Sequence, residues 1–587
     1  MNRFHFLTLV VLLLPVGSQW VAAAPAATNL TARHRNGQTF LTWSEATDLQ
    51  GVHFQVRLSE QPITEANVTA SRIVGDFIRP RSATDWWLNP ETYGTPVKPG
   101  PDGTKVLPEP QGWIIDEGGA RLDPNGGLFV HTVTAETAGP RYFAVVAISD
   151  ATGERAIEIA PGANSLAEPV SQSVAPIEPI WQGDAAARPD FAAGKGLPLD
   201  LVLHAKTGRG GMEWLAFGSA DLGWSDGLPF KFGAQVRGGS VVVAPTDRTW
   251  TGRILTDDRD ECQRLTPAIH SFWFGYNDGI FEAQQMPQGQ VVNYTERRLL
   301  WIIGWAKSAF GTDPNRTYCT GSSMGGCGTI SFALHHPEVF AACSANVPIV
   351  AYDKGAGGDS EFRLAAFTGG LGAPCDGVTV KERLDSTRFV SSATGDLPFL
   401  VLANGRNDGS IPWWKNPDFY RALDVRHQGF IAAWNEGTHS EVEAQLPPDV
   451  RERMGFAWLH RFALNRSYLA LSNSSADNQP GNGDKADGDP VGFMNRGLDF
   501  EVLADTPDRY EARVFWYLDA AQLPVTVDVT PRRVQGMHWK PGDVLTATLT
   551  GAKTVRRDIT VDDLGLATIP AVELRSPDGV RIELRRP

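Results

Sequence analysis

The residues whose types and spacing could do chemistry begin at Gly321-Ser322-Ser323-Met324-Gly325, a Gly-x-Ser-x-Gly pattern. Residues 316–320 before it read as a strand, and Thr329, Ile330, Phe332, Ala333 and Leu334 after it fit a helix. A sharp strand-to-helix turn lifts a serine hydroxyl clear of a sheet, and small flanking residues let the backbones pass closely. Ser323 is therefore a candidate nucleophile. Gly223-Trp224-Ser225-Asp226-Gly227 repeats the pattern, but no strand precedes it and Leu228-Pro229 stands where a helix should start. Ser225 is set aside for that reason. A serine hydroxyl needs a base, and the base needs an orienting acid. Asp408 follows the strand-like run 397–403, and His439 follows the run 429–434. Functional groups of open α/β sheets gather at such strand ends. Glu436 is a rival acid, but reaching Nδ1 of His439 from so near in sequence would need unusual geometry. His335 and His336 fall on the helix after Ser323, where they point away from the strand ends.

These residues need a sheet to position them. Residues 199–204 and 240–245 read as strands, the second apolar almost throughout, as in a strand buried on both faces. Residues 296–310 carry apolar side chains at helical spacing, among them Leu299, Leu300, Ile303, Trp305 and Phe310. The alternation over 196–466 predicts an α/β fold, with a mainly parallel sheet and helices on both faces. Strand patterns and turns predict a β-domain over 24–159, then a Pro-rich linker over 160–195. Residues 467–587 read as a second β-domain, a C-terminal β-sandwich, with strands over 510–517, 525–529, 544–550, 566–569 and 580–584. Asp477, Asn482, Asp484, Asp487 and Asp489 crowd the stretch 477–489, but their spacing does not match a calcium loop, so a solvated loop is expected.

The 587-residue chain is 42% hydrophobic and 20% charged, which fits several globular domains. Its net charge of -14 and lack of basic clusters exclude nucleic acid as the expected partner. Asn2-Arg3, an apolar run over 6–14 and Val21-Ala22-Ala23 predict a signal peptide over 1–23 and a secreted or periplasmic protein. That run is too short to span a bilayer, and no other run is long enough. Export permits disulfides among Cys262, Cys319, Cys327, Cys343 and Cys375, although the sequence does not pair them; Cys319 and Cys343 also read as buried small residues. Nothing in the sequence sets an oligomeric state.

Residues 196–466 resemble the α/β-hydrolase superfamily, near the feruloyl and acetylxylan esterases and polyhydroxybutyrate depolymerases. Asp313-Pro314-Asn315-Arg316-Thr317-Tyr318 running into Gly-Ser-Ser-Met-Gly-Gly carries that resemblance, and it is shared with prolyl oligopeptidase-type peptidases. The N-terminal β-domain resembles a fibronectin type III module, with Trp43 in an early strand and Tyr142 opening a late one. The superfamily resemblance implies a serine esterase working through an acyl-enzyme, with catalytic Ser323, Asp408 and His439 and no metal or organic cofactor. It implies an oxyanion hole from the Met324 N–H and a donor in the loop after 199–204, at Ala205 or Lys206. Related enzymes often carry His-Gly-Gly-Gly there, whereas this chain reads His204-Ala205-Lys206-Thr207-Gly208. Trp413, Trp414 and Trp434 flank Asp408 and His439 and are candidate substrate contacts, and Trp273, Phe274 and Tyr276 lie in an apparent insert. The expected substrate is an ester, polysaccharide-linked or polyester. A serine peptidase is the nearest alternative, and a non-catalytic polysaccharide-binding protein the next.

Overall fold

The computed structural model describes residues 26–46, 49, 51–84, 98–99, 105–106, 111–156, 158–203, 213–217, 227, 229–250, 268–280, 288–352, 364 and 367–587. The leader, Ala205, Cys262 and the second serine motif at 223–226 lie outside the described residues.

A ten-stranded sheet runs through the middle of the molecule. In spatial order its strands are Ile180–Trp181, Glu213–Phe217, Pro229–Arg237, Ser240–Pro245, Leu199–Leu203, Thr317–Ser322, Ala342–Asn346, Phe399–Gly405, Phe430–Asn435 and Gly492–Met494. The six from Ser240–Pro245 to Phe430–Asn435 are parallel. The strands outside them pair antiparallel. Parallel neighbours require crossovers, and the helices Tyr294–Phe310, Met324–His335 and Asn416–Val425 supply three.

The two faces of this sheet are covered differently. Side chains alternate along each strand, so neighbours in sequence enter opposite cores. Cys319, Leu400, Leu402, Phe430 and Ala432 pack with Leu299, Ile303, Ile330, Phe332 and Phe419 of the three helices. Tyr318, Phe399, Val401 and Ile431 pack instead with Leu459 and Phe462 and with Tyr468, Val527, Val529 and Ile569 of the C-terminal β-region. The expectation of helices on both faces is corrected accordingly: β-strands and short helical turns take most of the second face. The apolar residues that strands Tyr468–Ser472 and Val525–Arg532 turn inward supply the complementary surface.

The C-terminal region forms a three-stranded and a five-stranded sheet around that shared core. The strand expected over 566–569 is instead Ile569–Leu574, and the strands Leu498–Thr506 and Thr554–Thr560 had no forecast. Thr554–Thr560 is mostly exposed and charged, so it lacks the apolar alternation that marks a strand in sequence.

At the N-terminus, a three-stranded sheet (Ala27–Arg35, Gln38–Glu45, Gly127–Thr132) faces a four-stranded one (Arg72–Ile78, Val52–Ser59, Gly139–Ser149, Val170–Gln172). Trp43, Phe54, Phe129 and Phe143 fill the space between them. The stretch 160–195 is no free linker. Val170–Gln172 extends the N-terminal sheet, and Ile180–Trp181 edges the central one. Its prolines suit short edge strands, where a missing N–H removes little pairing.

Candidate active site

Ser323 sits between strand Thr317–Ser322 and helix Met324–His335 with φ 57° and ψ −122°. That conformation is rare for a side-chain-bearing residue and is held only when the surroundings over-determine it. Two close approaches do so here. A Cβ on Gly321 would lie 2.2 Å from the Gly325 carbonyl oxygen, and one on Gly326 would lie 2.5 Å from the Asn346 carbonyl oxygen. The Ser323 N–H also donates to the Asn346 carbonyl at 3.0 Å. Although Ser323 is the N-cap residue, its hydroxyl makes no capping bond. Its Oγ lies 2.8 Å from Nε2 of His439.

The imidazole continues the row, with Nδ1 2.7 Å from Oδ2 of Asp408. The other carboxylate oxygen of Asp408 accepts the Ser410 and Ile411 N–H groups, each at 2.8 Å. The Asp408 side chain is fully buried, while that of His439 is 33% exposed. The carboxylate is thus fixed out of water while the imidazole stays partly exposed. Charge-assisted hydrogen bonds of this kind are the stronger ones.

Two strand ends bring the acid and the base together. Asp408 follows strand Phe399–Gly405, and His439 follows strand Phe430–Asn435. The Arg406 N–H donates to the Asn435 carbonyl at 2.8 Å, and Asn407 Nδ2 donates to the Glu436 carbonyl at 2.8 Å. A Cβ on Gly405 would meet the Gly437 carbonyl oxygen at 2.3 Å, so the loops touch backbone to backbone. Glu441 staples the turn before the histidine, accepting from the Thr438 N–H at 3.0 Å and its hydroxyl at 2.7 Å. Glu436, the rival acid, is exposed, and the described Nδ1 partner of His439 is Asp408.

Met324 is the first residue of the helix, where backbone N–H groups lack carbonyl partners within the helix and the dipole favours negative charge. Leu203 pairs with Gly321, so strand Leu199–Leu203 ends alongside the serine turn.

An apolar cluster adjoins the three residues. Met324, Cys327, Ile411 and Val442 share it with Phe272, Tyr352 and Phe367. Phe272 stacks on Phe367 at 5.8 Å and meets Tyr352 edge-on at 6.3 Å. Phe272 and Trp273 both have positive φ, 50° and 64°, which turns the chain sharply at this point. Sequence reasoning missed Phe272, Tyr352 and Phe367; the aromatic density over 272–276 signalled the first, and nothing local signalled the other two. Burial pushes the Cys327 thiol up to about 11, with the Ile349 N–H donating to its sulfur at 3.2 Å. A thiol so held is no rival nucleophile.

The aromatic candidates are corrected. Trp434 is fully buried, with its indole N–H donated to the Asp489 carbonyl at 2.9 Å. Trp413 is 1% exposed and packs on Trp434 and Tyr420 at 5.8 and 6.0 Å. Both belong to the core, because strand Phe430–Asn435 is buried on both faces and helix Asn416–Val425 closes over it. Trp273, Phe274 and Tyr276 are buried as well. Trp414 alone of the named tryptophans near Asp408 is half-buried, with the Lys415 ammonium 4.5 Å from its ring centre.

His335 and His336 serve elsewhere. Nδ1 of His335 lies 2.6 Å from the fully buried Glu296, and Nε2 of His336 lies 3.5 Å from it. Burial alone would raise the Glu296 carboxyl, but the two imidazoles outweigh it and bring it down to about 2. Cys319, Cys327, Cys343 and Cys375 are all buried free thiols.

Among the described residues no group of three or more His, Cys, Asp or Glu could hold a metal ion. In the stretch 477–489, the Asp487 and Gly488 carbonyls accept from Arg406 at 3.0 and 3.4 Å. No described helix is long and apolar enough to cross a membrane.

Residues 283–447 match the Esterase family model, described as "Putative esterase". No curated protein matches the chain. Among solved structures, the chain is similar to an S-formylglutathione hydrolase from Agrobacterium tumefaciens, at 18% identity and a TM-score of 0.29, over 43% of this chain and 96% of that one. It is similar to a ferulic acid esterase at 14% identity and a TM-score of 0.24, over 46% of this chain and 82% of that one. A prolyl endopeptidase structure is similar at 11% identity and a TM-score of 0.25, over 71% of this chain and 50% of that one. The family match and the sheet together support an α/β-hydrolase core and a serine hydrolase.

Proposed function

We propose that the chain is an exported serine hydrolase that cleaves carboxylic esters through an acyl-enzyme intermediate. One observation carries this reading: Ser323 Oγ, the His439 imidazole and the Asp408 carboxylate form a continuous hydrogen-bonded row at a strained turn. Ser323 attacks the ester carbonyl as Nε2 of His439 takes its proton. The tetrahedral oxyanion accepts from the Met324 N–H and from a second donor near Ala205, just beyond strand Leu199–Leu203. Collapse expels the alcohol, which receives the proton from His439. Water then repeats the sequence against the acyl-serine and releases the acid. Asp408 keeps Nδ1 of His439 protonated and Nε2 facing the serine throughout.

The apolar cluster around Phe272, Tyr352 and Phe367 favours an apolar or aromatic acyl portion. The leader favours release outside the cytoplasm. The sheet order of the N-terminal region supports a fibronectin type III-like sandwich, and the C-terminal sheets a second sandwich. These flanks and export favour an extracellular polymer or its fragments as substrate. Among the aromatics named from sequence, Trp414 remains the proposed substrate contact.

The test is a panel of feruloyl, acetyl-xylan, short aryl and polyester substrates beside an aminoacyl anilide, with Ser323→Ala as the blank. Cleavage of the anilide alone would overturn the esterase in favour of the peptidase. Failure of a fluorophosphonate to label the wild-type chain, or labelling of Ser323→Ala, would remove the nucleophile assignment altogether.

A further inference from the structure

We propose that Arg406 is a positioning residue for the catalytic acid, and that the loop 478–489 holds it in that role. The proposal rests on the catalytic reading of Ser323, His439 and Asp408. Arg406 lies two residues before Asp408 and is 3% exposed. Its backbone N–H ties the acid's loop to Asn435, at the end of the strand that leads to His439. Its guanidinium leaves that sheet edge and donates to the carbonyls of Lys485, Asp487 and Gly488.

The loop that offers those carbonyls is closed on itself. The Asp489 N–H donates to the Gln479 carbonyl at 2.8 Å, and the Gln479 N–H donates back to the Asp489 carboxylate at 2.9 Å. The Asp487 N–H donates to the Asp484 carbonyl at 3.1 Å. The indole of Trp434 donates to the very next carbonyl after Gly488, that of Asp489. Arg421 donates to the Gly481 carbonyl. Gly483 has φ +98°, and a Cβ there would lie 2.1 Å from the Trp414 carbonyl oxygen. The loop therefore spans from Arg406, on the strand end delivering Asp408, to Trp434, on the strand delivering His439.

A buried cation left without acceptors is strongly unfavourable, and its nearest remedy is a carboxylate. Neutral carbonyls from the loop instead accept from both terminal nitrogens of Arg406, leaving only Nε without an acceptor among the described residues. Both oxygens of Asp408 stay committed to Ser410, Ile411 and His439. Losing the loop's grip would strip the guanidinium of those acceptors and free the turn that carries Asp408, two residues on. Displacement of a catalytic group by about an ångström costs up to ~100-fold in rate.

The experiment compares Arg406→Ala, Arg406→Lys and Gly483→Val with the wild-type full chain. The readouts are kcat and KM on an aryl ester, the rate of fluorophosphonate labelling, and thermal unfolding. The expected result for Arg406→Ala is a roughly 10- to 100-fold fall in kcat and in labelling rate, with KM within about 3-fold. Lysine should restore only part, since a single ammonium cannot reach three carbonyls in fork geometry. Gly483→Val should reproduce the loss with Arg406 intact. Wild-type kcat in folded Arg406→Ala overturns the proposal. If that variant does not fold, wild-type kcat in Gly483→Val overturns it. An unlabelled wild-type chain would mean that the reading of Ser323 had failed. A labelled wild type with both variants labelled at its rate would mean that only the positioning role had failed.

Discussion

Gly321 and Gly325 face each other across the serine turn so closely that a single added carbon on Gly321 would stand 2.2 Å from the Gly325 carbonyl oxygen. Real carbons do not approach that near, so any larger residue at 321 must push the strand away from the helix. Gly321→Ala is expected to cost about 1–3 kcal/mol through overpacking. It should also abolish fluorophosphonate labelling, because the φ of 57° at Ser323 depends on that contact. Thermal unfolding and labelling of the same sample check both. A labelled, fully stable Gly321→Ala would show that the turn tolerates expansion.

Asp408→Asn separates geometry from charge. The asparagine oxygen can still accept from Ser410 and Ile411, so the turn should hold. Its amide then meets Nδ1 of His439 as a donor, and the imidazole must offer a lone pair there. Nε2 becomes the protonated nitrogen and can no longer take the serine proton. The expected outcome is a loss of kcat of roughly 10⁴-fold with an unchanged unfolding temperature. Steady-state kinetics beside thermal unfolding read both. A loss of less than about tenfold would point to another orienting acid.

The meeting of Ser323, Asp408 and His439 was legible because they sit at the ends of apolar runs, and strand ends are where an α/β sheet exposes loops. The aromatic residues were not. Trp434 occupies an inward position on a strand buried on both faces, and the size that makes tryptophan a sugar platform also makes it a core residue. Only contacts distant in sequence, such as Trp434 with Trp413 and Asp489, decide between the two. The same holds for the second face of the sheet. Tyr318, Val401 and Ile431 signal burial, but nothing in their own strands says that a β-region beginning near Tyr468 covers them. Arg406 was silent too, since its partners lie about eighty residues away in a stretch that reads as solvated.

The N-terminal β-region should respond to pH through two buried groups with opposite signs. Burial lowers His131 to about 4, so its contribution is complete above pH 6.5 and is lost as pH falls through 4. Burial raises Glu45 to about 8, so its contribution is complete below pH 4.5 and is lost as pH rises through 8. At about 1.4 kcal/mol per pKa unit, the limits are about 3 kcal/mol for His131 and about 5 kcal/mol for Glu45. The slopes nearly cancel between pH 4.5 and 6.5, and above 6.5 only Glu45 titrates, so the wild-type region is almost flat below 6.5 and loses stability from there toward pH 8. His131→Gln should start the loss toward pH 8 near pH 4.5 instead of 6.5, and Glu45→Gln should uncover falling stability from pH 6.5 toward pH 4. Amide exchange in strand Gly127–Thr132 across that range measures both. Parallel profiles in the two variants would contradict the assignment.

The C-terminal β-region is expected to be inseparable from the α/β core. Arg533 is buried and donates to the carbonyls of Ala341 and Phe340 at 2.8 and 2.9 Å, where strand Ala342–Asn346 begins. Arg532 pairs with Asp396 at 2.6 Å, just before strand Phe399–Gly405. Strand Gly492–Met494 completes the edge of the central sheet beside Phe430–Asn435. A chain ending at Arg466 would expose Tyr318, Phe399, Val401 and Ile431 together and leave that edge unpaired, the two conditions that favour aggregation. It should therefore be recovered only as insoluble material. The full chain should unfold these two regions in one calorimetric transition, with Arg533→Met lowering its midpoint, since the buried Phe340 carbonyl loses this donor and the Ala341 carbonyl keeps only the Phe399 N–H at 3.3 Å. A soluble, labelled chain ending at Arg466 would show that the shared core is dispensable, and would also locate the control of Asp408 outside the 478–489 loop.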